Sequence, residues 1–354
     1  MVAIQIAKPP VTSSDSLRPL RAGIAGYGLA GRTFHSRLLK GCGFDVQAIL
    51  TNNEARIEQA RNDFPEAKVL STIESLVQLD LDLIVVASAN SVHATHAIAA
   101  LRAGIPVVID KPMGRTLVET ESILDASAEC GVPFTVFFNR RWDSDSLTIK
   151  RVLGEGLIGE VHRMDSRFER YRPALTPGSW RELSSVQDGG GLLLDLQTHL
   201  LSVALDLFGP AQLAHSSVKR IRGAADDDVV LAILHSSGVD SYLSASAVAG
   251  SPGPRVRILG SKGALVISEL DPQEALLREG IIPQNGKWQV PTKSRAYVHR
   301  GDEVIEIDSE NGNYPDYYNL VSGALRGTNP WPVSEIDALA VAGLIDEARE
   351  KSIR

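Results

Sequence analysis

The feature that most constrains the fold is a glycine-rich turn between an apolar strand pattern and a helical pattern. The strand is predicted over Arg21–Ala25, the helix over Arg32–Lys40, and GYGLAG stands between them. Gly26 permits a tight bend, Gly28 admits a pyrophosphate close to the backbone, and Gly31 lets the helix pack on the strand. This context predicts a dinucleotide site, with a plain strand–helix turn as the alternative.

Strand and helix patterns alternate from residue 20 to residue 141. The further predicted strands are Phe44–Leu50, Leu83–Ala87, Val107–Asp110 and Phe134–Phe138, and the further helices are Glu54–Asp63, Ser71–Val77, His93–Ala103 and Leu117–Cys130. This rhythm is typical of βαβ units, and therefore of a parallel sheet with helices on both faces. Residues 20–141 are predicted to form a doubly wound α/β Rossmann domain that binds a dinucleotide.

The rhythm changes after residue 141. The patterns predict a helix at Ser146–Gly154, a strand at Glu160–Arg167, a loop at Tyr171–Gly191, a helix at Leu192–Phe208, successive strands between residues 212 and 307, and helices at Tyr314–Arg326 and Ser334–Arg354. Residues 142–354 are therefore predicted to form an α+β domain with a large, mostly antiparallel open sheet that binds substrate. Residues 1–19, rich in Pro, Ser and Thr, are expected to be a flexible tail.

Composition excludes several classes of partner and site. The net charge of the 354-residue chain is −7, which argues against nucleic acid or an anionic membrane as the main partner. Two cysteines exclude a disulfide scaffold and a cysteine zinc site, and no other metal set stands out. We expect a cytoplasmic protein without membrane spans.

The end of the second strand bears on the choice of cofactor. Thr51, Asn52 and Asn53 stand where an acidic residue would select NAD by binding the ribose hydroxyls. Neutral residues repel a 2′-phosphate less, and Arg56 or Arg32 could supply the positive charge that it needs. The sequence therefore favours NADP over NAD. The alternative is that residues 51–53 only cap the following helix.

Lys111 follows an apolar strand, at the sheet edge where open α/β folds bind ligands. A lysine there can stabilise the negative charge that develops on a reacting oxygen, whereas the alternative is a surface lysine at a strand end.

Asp195 and His199 are four residues apart, so a helix would place them on one face. His199 suits general-base work near neutrality. A structural ion pair and a metal site are the alternatives.

Four stretches together resemble the Gfo/Idh/MocA oxidoreductases. They are GYGLAGRTFH, VIDKP, FFNRRWDSDSLTIKRVLGEGLIGEVHRMDSRFERYRP and GGGLLLDLQTHLLSVALDLFG, and GNYPDYYNLVSGALRG also fits. The resemblance runs from about residue 21 to the C-terminal helix. It implies an NAD(P)-dependent enzyme that moves hydride to or from a hydroxyl-bearing carbon of a sugar or polyol. It also implies a homodimer or homotetramer.

The resemblance assigns roles to particular positions. Lys111 is the implied active-site lysine, and Asp195 and His199 are the implied substrate-contacting pair, with His199 the acid/base. The expected cofactor contacts are Gly26, Tyr27, Gly28, Leu29, Ala30, Gly31, Thr51, Asn52, Asn53, Ser88, Asn90, His93, Asp110, Lys111, Asn139, Trp180 and Arg181. Gln197 and Ser202 depart from the family pattern, which often has Gly and Asp at these positions.

Two alternatives to this function stay open. One is an enzyme of the same fold that keeps its cofactor tightly bound or acts on a non-sugar carbonyl. The other is a non-catalytic NAD(P)-sensing regulator. The start of the second domain is dense in arginines, namely Arg140, Arg141, Arg163, Arg167, Arg170 and Arg172. Some of them could face the pocket and bind hydroxyls or an acidic group of the substrate. The favoured alternative is that they occupy alternate strand positions that face solvent.

Overall fold

The structure is a computed structural model that describes residues 18–185, 188–223 and 225–352. Most of the predicted N-terminal tail therefore lies outside the described residues. Its end is described and is held in place, because Arg18 pairs with Asp82 at 2.6 Å and Leu20 is buried.

The first sheet has six parallel strands in the order β3-β2-β1-β4-β5-β6. The strands are β1 Arg21–Ala25, β2 Asp45–Leu50, β3 Lys68–Leu70, β4 Leu83–Val86, β5 Val107–Asp110 and β6 Phe134–Phe137. All residues of β4 and β6 are buried, which explains their unbroken apolar runs. Successive strands are added outward in opposite directions from β1 and β4, so a crevice opens beyond the carboxyl ends of these two parallel strands. The predicted doubly wound sheet is confirmed.

The helices of this region are close to the predicted ones, with two differences. They are α1 Ser36–Gly41, α2 Glu54–Asp63, α3 Ile73–Val77, α4 His93–Arg102 and α5 Leu117–Cys130. A π-helical turn, Leu29–His35, precedes α1, so the helical path starts directly after Gly28 and earlier than predicted. The prediction also missed β3, whose three residues are too few to show an alternating pattern.

The second sheet has eight strands in the order β14-β13-β12-β11-β7-β10-β9-β8. They are β7 Val161–Glu169, β8 Ala211–Lys219, β9 Asp228–His235, β10 Asp240–Ser246, β11 Val256–Gly260, β12 Gly263–Ile267, β13 Ala296–Arg300 and β14 Glu303–Ile307. Among the described pairs, β7 and β10 alone are parallel. The predicted large, mostly antiparallel sheet is confirmed.

The remaining helices pack on one face of this sheet or join it to the first region. They are α6 Ser144–Gly154, α7 Trp180–Leu183, α8 Leu192–Asp195, α9 Gln197–Phe208, α10 Gln273–Glu279, α11 Tyr314–Leu325 and α12 Glu335–Ser352. The single helix predicted over Leu192–Phe208 is wrong in one respect, because it is interrupted at Leu196. The short helices α7 and α10 were not predicted.

The two C-terminal helices tie the sheets together. Tyr314, Tyr317 and Tyr318 on α11 are fully buried, and all three pack against Phe137 at the end of β6, with ring centroids 4.8–6.5 Å apart. On α12, Asp346 accepts a hydrogen bond from the Leu117 amide at 2.6 Å. Helices at the end of the chain therefore cover part of the first domain.

Candidate active site

An open cleft of about 1060 Å³ lies between the carboxyl edge of the parallel sheet and the second sheet. The first region contributes Leu29, Ala30, Phe34, Asp110, Lys111, Phe137 and Asn139. The second contributes Phe168, Asp195 and His199 together with arginines and acidic residues from several loops. All three predicted catalytic residues therefore line one cavity.

Of the three glycines in the glycine-rich turn, only Gly28 has open space where a side chain would be, and a ligand could occupy that space. Gly26 has φ +101°, and a Cβ there would lie 2.5 Å from the Ala87 carbonyl oxygen. At Gly31 a Cβ would lie 2.0 Å from the Gly26 carbonyl oxygen, so the fold itself requires these two glycines. At Gly28 the nearest atoms would be those of the Arg56 guanidinium, at 3.7–3.8 Å. The missing side chain of Gly28 therefore leaves open space.

Side chains of the turn divide between the core and the cleft. Leu29 and Ala30 line the cleft. Tyr27 is buried and donates a hydrogen bond to Asp63 at 2.9 Å, which leaves its backbone as the part that faces a cofactor. Arg32 also binds Asp63, at 2.6 Å, and is thus engaged away from the ribose position.

The end of β2 presents a neutral surface next to one cationic group. Thr51 is buried, Asn52 is exposed, and Asn53 caps α2 by accepting a hydrogen bond from the Arg56 amide at 3.1 Å. The capping role that we weighed as an alternative is therefore real for Asn53. The Arg56 side chain is exposed and lies above Gly28. Of the two arginines considered for a 2′-phosphate, Arg56 is the one in position.

His93 braces two loops at the sheet edge. Its Nδ1 lies 2.8 Å from the Pro112 carbonyl oxygen, and its Nε2 lies 3.1 Å from the Ser88 carbonyl oxygen. Burial lowers its pKa, although the Asp110 charge and the two carbonyls oppose this. The Ser88 hydroxyl is buried without a hydrogen-bond partner among the described residues. Asn90 lies against Gly189, where a Cβ would be 3.2 Å from the Asn90 Nδ2.

Asp110 is held by a buried histidine from the first helix. His35 Nδ1 lies 2.6 Å from the Tyr318 hydroxyl oxygen, and its Nε2 lies 3.4 Å from Asp110 Oδ1. Burial by itself raises the pKa of Asp110, but the contact with His35 and the positive charge of Lys111 outweigh it. The net pKa is lowered, so the carboxylate is ionised beside Lys111.

Lys111 and Asp195 form the central ion pair of the cleft. Lys111 Nζ donates to Asp195 Oδ1 at 2.6 Å and to the Asp195 carbonyl oxygen at 2.9 Å. Both side chains are mostly buried, with 15% and 20% of their surfaces exposed. An ammonium has three donors, so one remains for a substrate oxygen.

His199 stands beside this pair as a neutral base. It lies on α9, lines the cleft, and packs edge-on against Phe168 with ring centroids 6.2 Å apart. Burial lowers its pKa well below the ordinary histidine value, and the charges of Lys111, Arg140 and Arg255 lower it further. Its Nδ1 is buried with no hydrogen-bond partner among the described residues. The lowered pKa keeps the imidazole neutral, and a neutral imidazole can accept a proton.

The break at Leu196 gives Asp195 and His199 separate supports. Asp226 holds the start of α8, because its Oδ2 accepts a hydrogen bond from the Leu193 amide at 2.6 Å. The predicted alternative of an Asp195–His199 ion pair is not what the structure shows, since the carboxylate of Asp195 binds Lys111 instead.

Two further predicted positions flank the ion pair, and two others cannot be placed. Asn139 is buried and lines the cleft, and Arg140 extends from the same segment to bind Asp143 and Glu274 at 3.1 and 2.6 Å. Trp180 and Arg181 begin α7, but their side chains lie outside the described part of the chain.

Comparison with known proteins assigns the chain to a family. Residues 20–138 match the model of the oxidoreductase family with an NAD-binding Rossmann fold, and residues 146–266 match the GFO/IDH/MocA C-terminal domain. The uncharacterized oxidoreductase YdgJ of Escherichia coli is 35% identical over 92% of this chain and 94% of its own. The chain belongs to the Gfo/Idh/MocA family of oxidoreductases. It is accordingly an NAD-binding oxidoreductase.

Other relatives support this membership over nearly the full length. The scyllo-inositol 2-dehydrogenase (NADP(+)) IolW of Bacillus subtilis is 31% identical over 94% of both chains. The yvaA structure from Bacillus subtilis superposes with a TM-score of 0.85 at 30% identity, covering 95% of this chain and 97% of that one. The YPO2259 structure from Yersinia pestis gives 0.85 at 31% identity, covering 95% and 96%.

The two departures from the Gfo/Idh/MocA pattern both make structural contacts. The buried Gln197 amide donates to the carbonyl oxygens of Val229 and Leu243 at 3.2 and 3.0 Å, which fastens α9 to β9 and β10. Ser202 accepts a hydrogen bond from Arg141 Nε at 2.9 Å. Arg141 also binds the carboxylate of Asp337, which lies 2.8 Å from Arg141 Nη1.

The sequence reasoning missed several groups that shape this family member's site. Arg255 stacks on Phe168 with its guanidinium carbon 3.9 Å from the ring centroid, and Glu274 comes from the unpredicted α10. Both are distant from the motifs along the chain, and nothing in their sequence neighbourhood marks them. Of the predicted arginines, Arg140, Arg167, Arg170 and Arg172 line the cleft, whereas Arg163 binds Asp165 outside it.

The structure offers no membrane span and no metal cluster in the residues that it describes. None of the described helices is long and apolar enough to cross a bilayer. Within the same residues, no group of three or more His, Cys, Asp or Glu side chains is placed to hold a metal ion.

Proposed function

We propose that this oxidoreductase converts a hydroxyl-bearing carbon of a sugar or polyol into a carbonyl, and catalyses the reverse reduction, with NADP(H). The observation that carries the proposal is the Lys111–Asp195 ion pair beside the neutral His199, in an open cleft next to the glycine-rich turn. The similarity to IolW, a scyllo-inositol 2-dehydrogenase (NADP(+)), supports both the substrate class and the cofactor.

The turn and the sheet edge suit a nicotinamide dinucleotide. The space at Gly28, the unpartnered Ser88 hydroxyl and the cleft-lining Leu29, Ala30 and Asn139 would hold it. When bound, this cofactor accepts or gives up a hydride, which is the redox part of the reaction. The protein contributes binding, orientation and proton transfer.

Lys111 binds the reacting oxygen. Asp195 fixes its ammonium with two hydrogen bonds, so the third donor has a defined direction. In oxidation the substrate hydroxyl develops negative charge, and a preoriented cation stabilises that charge more in the transition state than in the ground state.

His199 takes the hydroxyl proton in oxidation and returns it in reduction. Its lowered pKa keeps the imidazole neutral at pH 7, which is the form that accepts a proton. The nearby positive charges destabilise the protonated ring. After His199 has taken the proton from the substrate hydroxyl, it therefore releases that proton readily.

Arg56 is the group that we propose to read the 2′-phosphate of NADP. It is exposed above Gly28, and no acidic residue stands at residues 51–53 to repel a phosphate. A guanidinium binds a phosphate through charge-assisted hydrogen bonds and gains nothing comparable from a ribose hydroxyl.

Isotope transfer tests the proposal directly. Candidate inositols, aldoses and anhydro-sugars, deuterated at each carbinol carbon in turn, are incubated with the enzyme and NADP⁺. We expect deuterium from one carbon to appear in the reduced nicotinamide, together with a carbonyl product. Deuterium remaining in every recovered polyol would contradict the proposal.

A further inference from the structure

Some of the arginine side chains that line the cleft are not engaged in hydrogen bonds or ion pairs with other described residues. Seven arginines line it: Arg140, Arg167, Arg170, Arg172, Arg222, Arg255 and Arg278. Five of these bind a carboxylate or an uncharged oxygen of the protein. Arg170 and Arg172 differ, because neither side chain makes a hydrogen bond or an ion pair with another of the described residues.

The carboxylates around Arg170 are already engaged. Glu274 binds Arg140 and Arg278 at 2.6 and 2.7 Å, and Glu182 accepts a hydrogen bond from the Thr176 amide at 2.7 Å. Asp195 binds Lys111 at 2.6 Å. Their fields reach Arg170, but none of them forms a contact pair with it.

Arg170 and Arg172 are held close to each other by a braced backbone. The Arg170 and Arg172 amides donate to the carbonyl oxygens of Ser246 and Ala247 at 3.0 and 2.7 Å. Arg222, itself bound to Asp227 at 3.0 Å, donates to the Arg172 carbonyl oxygen at 2.7 Å. Partial burial lowers the pKa of Arg170, and the neighbouring charge of Arg172 lowers it further, although more distant carboxylates oppose this. Two neighbouring guanidinium groups repel each other, and an anion bound in direct contact with both would relieve that repulsion.

This pair of arginines lies within reach of the reacting centre. Phe168 lies near the end of β7, and Arg170 and Arg172 follow that strand in a segment whose amides still bind carbonyl oxygens at the end of β10 and just after it; all three line the cleft. Phe168 contacts His199, with ring centroids 6.2 Å apart. Alternate residues of an extended chain are roughly 7 Å apart, so Arg170 is one such step beyond the residue that touches the proposed base. One sugar unit spans that distance.

We propose that Arg170 and Arg172 form a subsite for an oxyanion on the substrate, so that the preferred substrate is a sugar or polyol bearing a carboxylate or a phosphate. Two guanidinium forks match the planar oxygens of a carboxylate or three oxygens of a phosphate. The anion would fix the carbon that faces Lys111 and His199, because both ends of the substrate are then held. This inference rests on the proposed function for the identity of the reacting carbon.

The test compares anionic sugars with their neutral parents. The three arms are glucuronate and galacturonate, glucose 6-phosphate and inositol monophosphate, and glucose, galactose and inositol. Binding to the NADP⁺-loaded enzyme is measured by calorimetry, and kcat/KM by nicotinamide reduction. Arg170→Gln and Arg172→Gln are tested beside Arg102→Gln, which removes an exposed arginine of α4 outside the cleft. Melting temperatures verify folding.

We expect the carboxylate arm or the phosphate arm to bind more tightly than its neutral parents. Arg170→Gln and Arg172→Gln should each weaken that binding by about 10- to 100-fold, the effect of a lost charge-assisted hydrogen bond, and change neutral-sugar binding less than about twofold. Arg102→Gln should change neither. If only the carboxylates or only the phosphates lose affinity in the two variants, that arm identifies the anionic group of the substrate.

Two results would overturn the inference. One is equal binding of anionic and neutral sugars, with equal losses in both variants, because the arginines would then bind hydroxyls. The other is weakened NADP⁺ binding with no change in sugar-acid or sugar-phosphate affinity. Arginine-dependent anion binding without turnover of any sugar would support the subsite while contradicting the proposed function, so the two failures are distinguishable.

Discussion

At the scale of single residues, the site is a set of charges whose positions are fixed by groups far away in the sequence. Asp195 orients Lys111 through two hydrogen bonds, and His35 orients Asp110 beside it. His199 is kept neutral by burial among cations. The motifs predicted that Lys111, Asp195 and His199 share one site. They did not predict that the carboxylate partners the lysine.

Replacing His199 by Ala should lower kcat for oxidation by roughly 10²–10⁴-fold, the usual contribution of a positioned general base. NADP⁺ affinity, measured by fluorescence titration, should change little, because the ring contacts Phe168 and not the glycine-rich turn. An unchanged kcat in this variant would remove His199 from its role.

The pH profile follows from the direction of the His199 pKa. The neutral imidazole is the active form in oxidation, and its pKa lies below the ordinary value of about 6.5. Activity should therefore be retained as pH falls through about 6.5, and decline only at lower pH, where the buried ring finally protonates. A plot of kcat/KM against pH, measured with a substrate that does not itself titrate there, makes the comparison. An acid limb above pH 6.5 would contradict it.

The proposed preference for NADP depends on Arg56. Arg56→Ala should lower the preference for NADP⁺ over NAD⁺ by roughly 10- to 100-fold, because about 1.5–3 kcal/mol of charge-assisted hydrogen bonding is lost. Arg61→Ala, which removes another exposed arginine from the same helix, is the matched control. Equal preferences in the two variants would show that the phosphate is read elsewhere.

At the scale of elements, the sequence predicted the regular parts well and the irregular parts poorly. Unbroken apolar runs are unambiguous for buried parallel strands such as β4, and Asn53 is a standard helix cap. The break at Leu196 was invisible because long-range contacts set it. Asp226 anchors the residues before it, and Gln197 anchors those after it to the second sheet.

The glycine-rich turn separates ligand binding from folding. Gly28→Ala should leave the melting temperature nearly unchanged, because its backbone is extended and only Arg56 is near, but should weaken cofactor binding. Gly31→Ala should cost at least about 1–3 kcal/mol of stability, because its Cβ would meet the Gly26 carbonyl oxygen at 2.0 Å. Thermal melts with and without NADP⁺ compare the two. Unchanged cofactor affinity in Gly28→Ala would mean that the pyrophosphate binds elsewhere.

At the scale of the whole molecule, one continuous core joins the two sheets. The buried core of the first region runs through α9, α11 and α12 to β8, β9 and β10 of the second sheet. Arg141 adds a buried polar link, since it binds Ser202 on α9 and Asp337 on α12. The sequence divided the chain at residue 141, and that boundary stays a prediction, because helices from the C-terminal end complete the N-terminal domain.

This continuity predicts cooperative unfolding. Calorimetry should show one transition, and NADP⁺ at a hundred times its Kd should stabilise the whole molecule by about 2.7 kcal/mol, moving that transition upward as a unit. Two transitions, of which the cofactor moves one, would mean that the sheets unfold independently.

The proposed reaction depends on the Lys111 ammonium binding a substrate oxygen. The most direct measurement is the rate of NADP⁺ reduction by the wild type and by Lys111→Ala across a panel of neutral polyols, sugar acids and sugar phosphates. We predict turnover of at least one of them by the wild type, and its loss in Lys111→Ala with NADP⁺ binding retained. Equal turnover by the two proteins, or tight NADP⁺ binding without turnover of any compound by the wild type, would contradict the account.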